Sequence, residues 1–281
     1  MTHQDHMRDA ETIELAALSA LHGAADGPLR DRLGLRLVEV ADGVASVAGA
    51  LPASAITINR MMGLGRARPP QVGDVRAAVD LYRGAGVRRF FLQPDPATSD
   101  DRVAPLCRAA GLERARAWQK FERGRDAPVP DVECEFTIRK AAPDDGDAFA
   151  RIVCDAFDLG DAALPWIARL PAAEGWHAYL AWAGDRPAGA GAVFVSDGAA
   201  FTDFGATAPD YRGRGAQTAN LAHRVRAALE MGCRRIYTCT GVAVEGDPQH
   251  SYANIRKCGF AEAHVRAAWQ PVQGDGKGAS S

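Results

Sequence analysis

The chain lacks an excess of either charge: 33 Lys and Arg stand against 35 Asp and Glu, a formal net charge of −2. No broad basic field is present to hold nucleic acid or an anionic membrane. It also lacks an apolar run of the ~20 residues a membrane-crossing helix requires, and Met1 to Asp9 lacks the apolar core of a secretory signal. The expectation is therefore a cytoplasmic protein with neither a nucleic-acid nor a membrane partner. Metal-ligand spacing is missing too. The seven histidines include no HxxxH or HxH, and the six cysteines (Cys107, Cys134, Cys154, Cys233, Cys239, Cys258) form no CxxC. Neither a metal site nor a disulfide framework is expected, and the thiols read as reduced and mostly buried. No Ser-His-Asp or Cys-His spacing suggests an enzyme nucleophile. What remains is ordinary globular composition, 47% hydrophobic over 281 residues, enough for one large domain or two modest ones.

Against this plain background one stretch stands out, Thr207-Ala-Pro-Asp-Tyr-Arg-Gly-Arg-Gly-Ala-Gln217. An apolar run that reads as a strand precedes it. An amphipathic run with Leu221, Ala222, Val225, Ala228 and Leu229 on one helical face follows it, leaving Asn220, Arg224, Arg226 and Glu230 on other faces. Two glycines at such a turn let successive N–H groups point outward, and the helix N-terminus adds partial positive charge. Together they make a seat for a phosphate or pyrophosphate.

The chain also echoes itself. A helical run Val75 to Tyr82 leads to Gly86-Val-Arg-Arg-Phe-Phe-Leu-Gln93, and Leu221 to Leu229 leads to Gly232-Cys-Arg-Arg-Ile-Tyr-Thr-Cys239. Each reads as a helix stopped by glycine, an Arg-Arg pair and a buried strand. A second pair of glycines follows, Gly111 and Gly259, at spacings of 25 and 27 positions. Matched anchors at near-equal spacing predict a duplicated unit. The boundaries expected are a first domain over 1–124 with an N-terminal helix, a Pro-containing linker over 125–131, a second domain over 132–272 and a disordered tail over 273–281. Strands are expected at Leu35 to Val40, Val44 to Ala50 and Ile56 to Met62 in the first half. In the second half they are expected at Glu135 to Lys140, His177 to Ala183, Ala188 to Val195 and Ala200 to Thr207. Helices are expected at Asp9 to Leu21, packed on the first unit, and at Pro143 to Phe157 and Asp161 to Leu170.

The order strand, Pro209-Asp-Tyr-Arg-Gly-Arg-Gly-Ala216, helix, then Arg256-Lys-Cys-Gly-Phe260 resembles the GNAT (Gcn5-related N-acetyltransferase) superfamily over roughly residues 132 to 270. Arg212 and Gly215 match the first two fixed positions of the family's Arg/Gln-x-x-Gly-x-Gly/Ala signature, and Gln217 stands where Gly or Ala is usual. The resemblance implies an α/β fold of two GNAT-like units, each a mixed, mostly antiparallel sheet flanked by helices. The first unit is degenerate: its loop, Gly63-Leu-Gly-Arg-Ala-Arg-Pro-Pro-Gln71, loses two N–H donors to Pro69 and Pro70.

The resemblance further implies acetyl-CoA as co-substrate. Its pyrophosphate would rest on Arg212, Gly213, Arg214, Gly215, Ala216, Gln217 and Thr218. Its pantetheine arm would lie between two splayed parallel strands, near the main chain of Ala206 and Thr207, with Ser251 and Asn254 close to the arm or the sulfur. Acyl transfer to an amine needs a neutral amine, a donor for the thioester oxygen and a proton for the departing thiolate. The family's usual tyrosine acid is replaced by Ile255, which leaves Tyr252 either to present its hydroxyl or simply to pack. Asp203, on the strand before the loop, is either a base raised by desolvation, a member of a cross-strand ion pair or a residue on a solvated face. His177 and His250 read as structural, and Trp166, Trp176 and Tyr179 as pocket wall or core. The expected activity is transfer of an acetyl group to a small-molecule amine by a monomer or homodimer. The alternative is a non-catalytic acyl-CoA-binding module.

Overall fold

The computed structural model describes residues 3–246 and 249–272, so the expected tail lies outside the described residues. Its first half runs α1 (His3–Gly23), α2 (Gly27–Leu33), β1 (Leu35–Val40), β2 (Gly43–Ala48), β3 (Arg60–Leu64), α3 (Val72–Gly84), β4 (Phe91–Pro94), α4 (Asp100–Ala109) and β5 (Leu112–Gly124). The second runs β6 (Thr137–Lys140), α5 (Gly146–Ala156), α6 (Leu164–Ile167), β7 (Trp176–Ala183), β8 (Arg186–Ser196), β9 (Ala199–Thr207), α7 (Ala216–Glu230), β10 (Arg235–Gly241), α8 (His250–Lys257) and β11 (Ala261–Pro271). No helix among the described residues is long and apolar enough to cross a membrane.

The duplication is visible in the backbone. From β1 and from β7 onward the two halves repeat strand, strand, strand, helix, strand, helix, strand. The glycine anchors play the same part in each: Gly86 (φ 75°) and Gly232 (φ 87°) leave α3 and α7 in the left-handed region, and Gly111 (φ 77°) and Gly259 (φ 79°) do so after α4 and α8. The closing bonds match as well, Val87 N to Tyr82 O at 2.9 Å and Cys233 N to Ala228 O at 3.0 Å.

All strands join one eleven-stranded sheet in the order β1-β2-β3-β4-β11-β5-β10-β9-β8-β7-β6. The last strand of each half lies on the other half. β5 pairs antiparallel with β10 from Arg235↔Gly124 to Gly241↔Trp118, while β11 reaches β4 at Trp269↔Leu92. At the centre β5 and β11 pair with each other along nearly their whole length, through two bulges. The two units are thus knit by a reciprocal strand exchange.

Period-2 alternation puts apolar side chains on both faces of the sheet. One face carries Phe201, Tyr237 and Met62 under α1, α2, α5 and α6. The other carries two separate cores, one of α3 and α4 with Met61 and Leu92, and one of α7 and α8 with Ala200 and Ile236. The N-terminal helix departs from expectation here. Its apolar stripe, Ala10, Ile13, Ala17, Leu18 and Leu21, shares a core with Phe201 and Phe204 of β9. Trp166 of α6 donates its indole N–H to Leu21 O at 2.8 Å. The helix therefore lies over both units.

Several elements stop inside the expected bounds, among them β2 at Ala48 and β6, which starts at Thr137, and two depart further. Ile56 to Asn59 is a turn, because the Asn59 amide bonds back to Ala48 N at 2.8 Å and Ala48 O at 3.4 Å instead of extending β3. The helix expected over Asp161 to Leu170 is broken into α6 and flanking 3-10 turns.

Candidate active site

β9 and β10 run parallel and pair only at Arg235↔Ala199, Ile236↔Ala200 and Tyr237↔Phe201, then diverge. The cause sits in β9. Between the pairs Ala190↔Ala206 and Ala192↔Asp203, Phe204 and Gly205 both face Gly191, and Phe204 takes φ 54°. This bulge bends β9 away from β10. Arg224 of α7 fixes it, donating to Ala192 O at 3.0 Å and Asp203 O at 2.9 Å. Gly191 is required beneath it: a Cβ there would lie 2.5 Å from Asn220 Oδ1 and 2.7 Å from the Arg224 guanidinium. Asn220 and Arg224, expected away from the apolar face of the helix, are in fact buried. Burial pulls the Arg224 guanidinium down to about 10, still cationic at neutral pH.

Strict period-2 alternation along β9 would put Phe201 on the face opposite Phe204 and Ala206. The extra residue resets the pleat, so all three enter one core.

The glycine loop lies at the open end of this splay. Gly213 (φ 77°) and Gly215 (φ 85°) are both left-handed, and Gly215 caps α7. Backbone bonding stops at Arg212 N to Pro209 O (3.3 Å) and resumes at Ala219 N to Gly215 O (3.0 Å). Among the described residues the amides from Gly213 to Thr218 meet no acceptor, which leaves them for solvent or a ligand. The amide of Arg212, expected among them, is used by the 3-10 turn Pro209–Tyr211. Arg214 is drawn off the loop by a two-pronged pair with Glu135. Gln217, the departure from the family signature, accepts from Asn254 Nδ2 at 2.9 Å, and Thr218 Oγ1 donates to Asn254 Oδ1 at 2.9 Å. The long side chain therefore bridges α7 to α8. An outer groove bordered by Ala206, Thr207, Arg212, Gly215, Thr218 and His250 runs past this point.

Inward, the splay opens into a cavity of about 290 Å³. Asp203, Gln217, Ser251, Asn254 and Trp176 line it, as do Glu14 and Arg60 from the first half. Burial pushes the Asp203 carboxyl up, against the opposing pull of Arg60 and of the Phe204 amide, which donates to its Oδ1 at 2.7 Å. Cys239 also faces the cavity, but burial and then Glu14 push its thiol up to about 12. It stays protonated, so it offers no thiolate nucleophile.

Tyr252 is not brought to the cavity. On α8 the residues facing the cavity are Ser251, Asn254 and Ile255, spaced i, i+3, i+4 on one side. The side chain of Tyr252, one step around the helix, packs its ring on Phe121 and donates its hydroxyl to Glu262. That bond holds the phenol above its usual range. Of the other aromatics, Trp166 is wholly in the core and Tyr179 lies on the opposite face beside His223. His177 is partly buried and lowered by that burial.

The first-half counterpart of the loop is closed. Gly63 (φ 81°) and Gly65 (φ 93°) are again left-handed. The Asp42 carboxylate, however, accepts from Gly65 N at 3.0 Å, Ala67 N at 2.7 Å and Arg68 N at 3.3 Å. An internal anion fills the place a phosphate would need. β3 and β4 also stay paired from Arg60↔Phe91 to Leu64↔Pro94, so no splay opens between them.

Sequence reasoning missed the first half's charged contribution. Glu14 (0% exposed side chain) pairs with Arg60 at 2.5 Å, with Arg266 at 2.7 Å and with Lys120. Glu11 pairs with Arg266 at 2.6 Å and with His264 at 3.0 Å. Burial works to raise Glu11, but Arg266 and Lys120 prevail and bring it down to about 2. The available signal was Arg60 alone in an apolar run, and Glu11 and Glu14 one helical turn apart beside alanines and leucines.

Residues 147–260 match the Acetyltransferase (GNAT) family. No curated protein matches the chain. Among solved structures, the GCN5-related N-acetyltransferase from Kribbella flavida superposes with a TM-score of 0.59 at 17% identity, over 91% of this chain and 96% of that one. A GCN5-related N-acetyltransferase from Sphaerobacter thermophilus gives 0.57 at 17% identity, over 94% and 92%. A putative GNAT-family acetyltransferase from Novosphingobium aromaticivorans gives 0.53 at 14%, over 86% and 95%. With the splayed strands, the pinned bulge and the open amide loop all inside the matched span, residues 147–260 form an acetyltransferase domain of the GNAT family, set in a chain that has the GNAT fold throughout.

Proposed function

We propose that the protein is an acetyl-CoA-dependent N-acetyltransferase that acetylates a small amine directly, in a ternary complex. The observation that carries this reading is the continuity of one passage. The free amides of Gly213 to Thr218 lead past Ala206 and Thr207, along the diverging edges of β9 and β10, into the cavity beside Asp203. An anionic diphosphate fits the first part. An extended arm fits the second, as an added strand. A thioester and an amine fit the third.

The coenzyme supplies an activated acyl thioester, and the chain's own residues do the rest. Asp203 takes one proton from the ammonium form of the acceptor. Its desolvation makes it a stronger base than an exposed carboxylate. The neutral nitrogen then forms the C–N bond as the C–S bond breaks, and the second nitrogen proton leaves with the thiolate as a thiol. No side chain is acylated on the way, in keeping with a Cys239 that stays a thiol. A cavity of about 290 Å³ lies at the small end of ligand pockets, which favours a small acceptor over a lysine on a folded protein.

The test is CoA release from acetyl-CoA across a panel of small amines. Turnover with stoichiometric acetylated amine is expected. Tight CoA binding with no turnover over the whole panel would replace the enzyme by a binding module.

A further inference from the structure

We infer that the acceptor is an amino acid with an apolar side chain, its carboxylate held by Arg60 and its amine by Asp203; this rests on the acetyltransferase reading above and names the substrate class of that site.

Among the described residues, several donors around the cavity have nothing to bond. Arg60 is 4% exposed and lines the cavity. One Nη donates to Glu14, the guanidinium lies 5.4 Å from the Trp118 ring centre, and Nε meets no acceptor. Thr202 (2% exposed) and Thr57 line the same cavity, and each has a buried hydroxyl with no partner. Buried donors are rarely left unmet, and those around a cavity indicate what it takes. A guanidinium with two hydroxyls matches a carboxylate.

The surrounding charge agrees. In the cluster behind the cavity the cations Arg60, Lys120 and Arg266 outnumber the carboxylates Glu11 and Glu14. The carboxylate that faces this positive charge is Asp203, whose electrostatic partners include Arg60 and the buried Arg224. A cation with free donors and a carboxylate thus line the same cavity. A zwitterion satisfies both without leaving a buried charge unmatched, whereas a simple amine would leave the Arg60 and threonine donors unmet.

Apolar side chains line the cavity beside these polar groups. Leu18, Leu21, Ile58, Phe157, Trp176 and Phe204 line it. They would receive an aliphatic or aromatic side chain and reject a charged one.

The experiment is calorimetric titration of the full chain, saturated with CoA, with L-leucine, L-leucinamide and isoamylamine. CoA affinity itself is measured first. Leucine is expected to bind about 100-fold more tightly than either analogue, because the analogues leave buried donors unmet. Arg60→Lys should lower leucine affinity at least about tenfold with CoA affinity unchanged, because the ammonium keeps the charge but not the planar donor set. Should Arg60→Lys not fold, Thr202→Val takes its place, with a smaller loss expected. Equal binding of the three compounds, or no leucine binding by a chain that binds CoA, would overturn the amino-acid assignment while leaving the acetyltransferase reading standing. Failure to bind CoA at all would instead remove the reading on which it rests.

Discussion

At the scale of single residues, substitutions at Gly215 and Asp203 test cofactor binding and chemistry separately. Gly215 holds φ 85° at the head of α7, where the unbonded amides converge. Gly215→Glu strains that backbone and sets a carboxylate against the diphosphate. CoA affinity should fall about 100-fold, the size of one or two lost bonds to a charged group at ~1.5–3 kcal/mol each. Titration of a variant shown to be folded checks this. Asp203→Asn should leave CoA affinity near that of the parent and lower turnover by about 100-fold or more. The pH profile adds a signed test. Burial raises the Asp203 carboxyl, so its basic form is lost as pH falls through a value above the ordinary 3.8. The parent should show an acid limb in that region, and Asp203→Asn should lack it. Tyr252→Phe, by contrast, removes a phenol bonded to Glu262 away from the cavity, and should change turnover little.

At the scale of elements, the two glycine loops explain why one half carries the site. Both have left-handed glycines between a strand and a helix, but only the first has a carboxylate in its nest. The prolines noted in sequence remove donors, and Asp42 occupies those that remain. Asp42→Ala should cost about 1 kcal/mol by leaving amides of a partly exposed loop without an acceptor, read by chemical denaturation. In the parent, CoA titration should give one site per chain. Much of this level was legible in the sequence. Gly184-Asp185 and Asp197-Gly198 mark the hairpins joining β7, β8 and β9, and Gly86, Gly232, Gly111 and Gly259 mark helix ends, because turns and caps are set by local backbone chemistry. The bulge at Phe204 was not legible. It depends on Arg224 reaching across from α7 over Gly191, a contact with no local signature. For the same reason Asp203 could be picked out by its carboxylate in an apolar strand, while the direction of Tyr252 around α8 could not.

At the scale of the molecule, the halves are one object. The exchanged strands β5 and β11 bring Lys120 and Arg266 to the centre of the sheet, beneath the Glu11 and Glu14 that α1 carries over it. Sequence periodicity tells which residues alternate within a strand. It does not tell which strands become neighbours, so neither the exchange nor the meeting of Lys120 and Arg266 with Glu11 and Glu14 could be read in advance. Lys120 has 0% exposure, and Lys120→Met removes one partner of a packed charge cluster. The variant should lose about 3–5 kcal/mol, measured by denaturant unfolding, and should unfold in one transition if the units are as interdependent as the shared strands imply. The same arrangement makes the first half a wall of the acceptor cavity through Glu14, Thr57 and Arg60, although its own loop is closed.

The most direct measurement is a crystal structure of the chain with CoA. The account predicts the diphosphate within hydrogen-bonding distance of the amides from Gly213 to Thr218, with the pantetheine arm between β9 and β10 and the sulfur turned toward Asp203. A diphosphate seated on the Gly63–Arg68 loop, or an arm lying outside the β9–β10 splay, would contradict it.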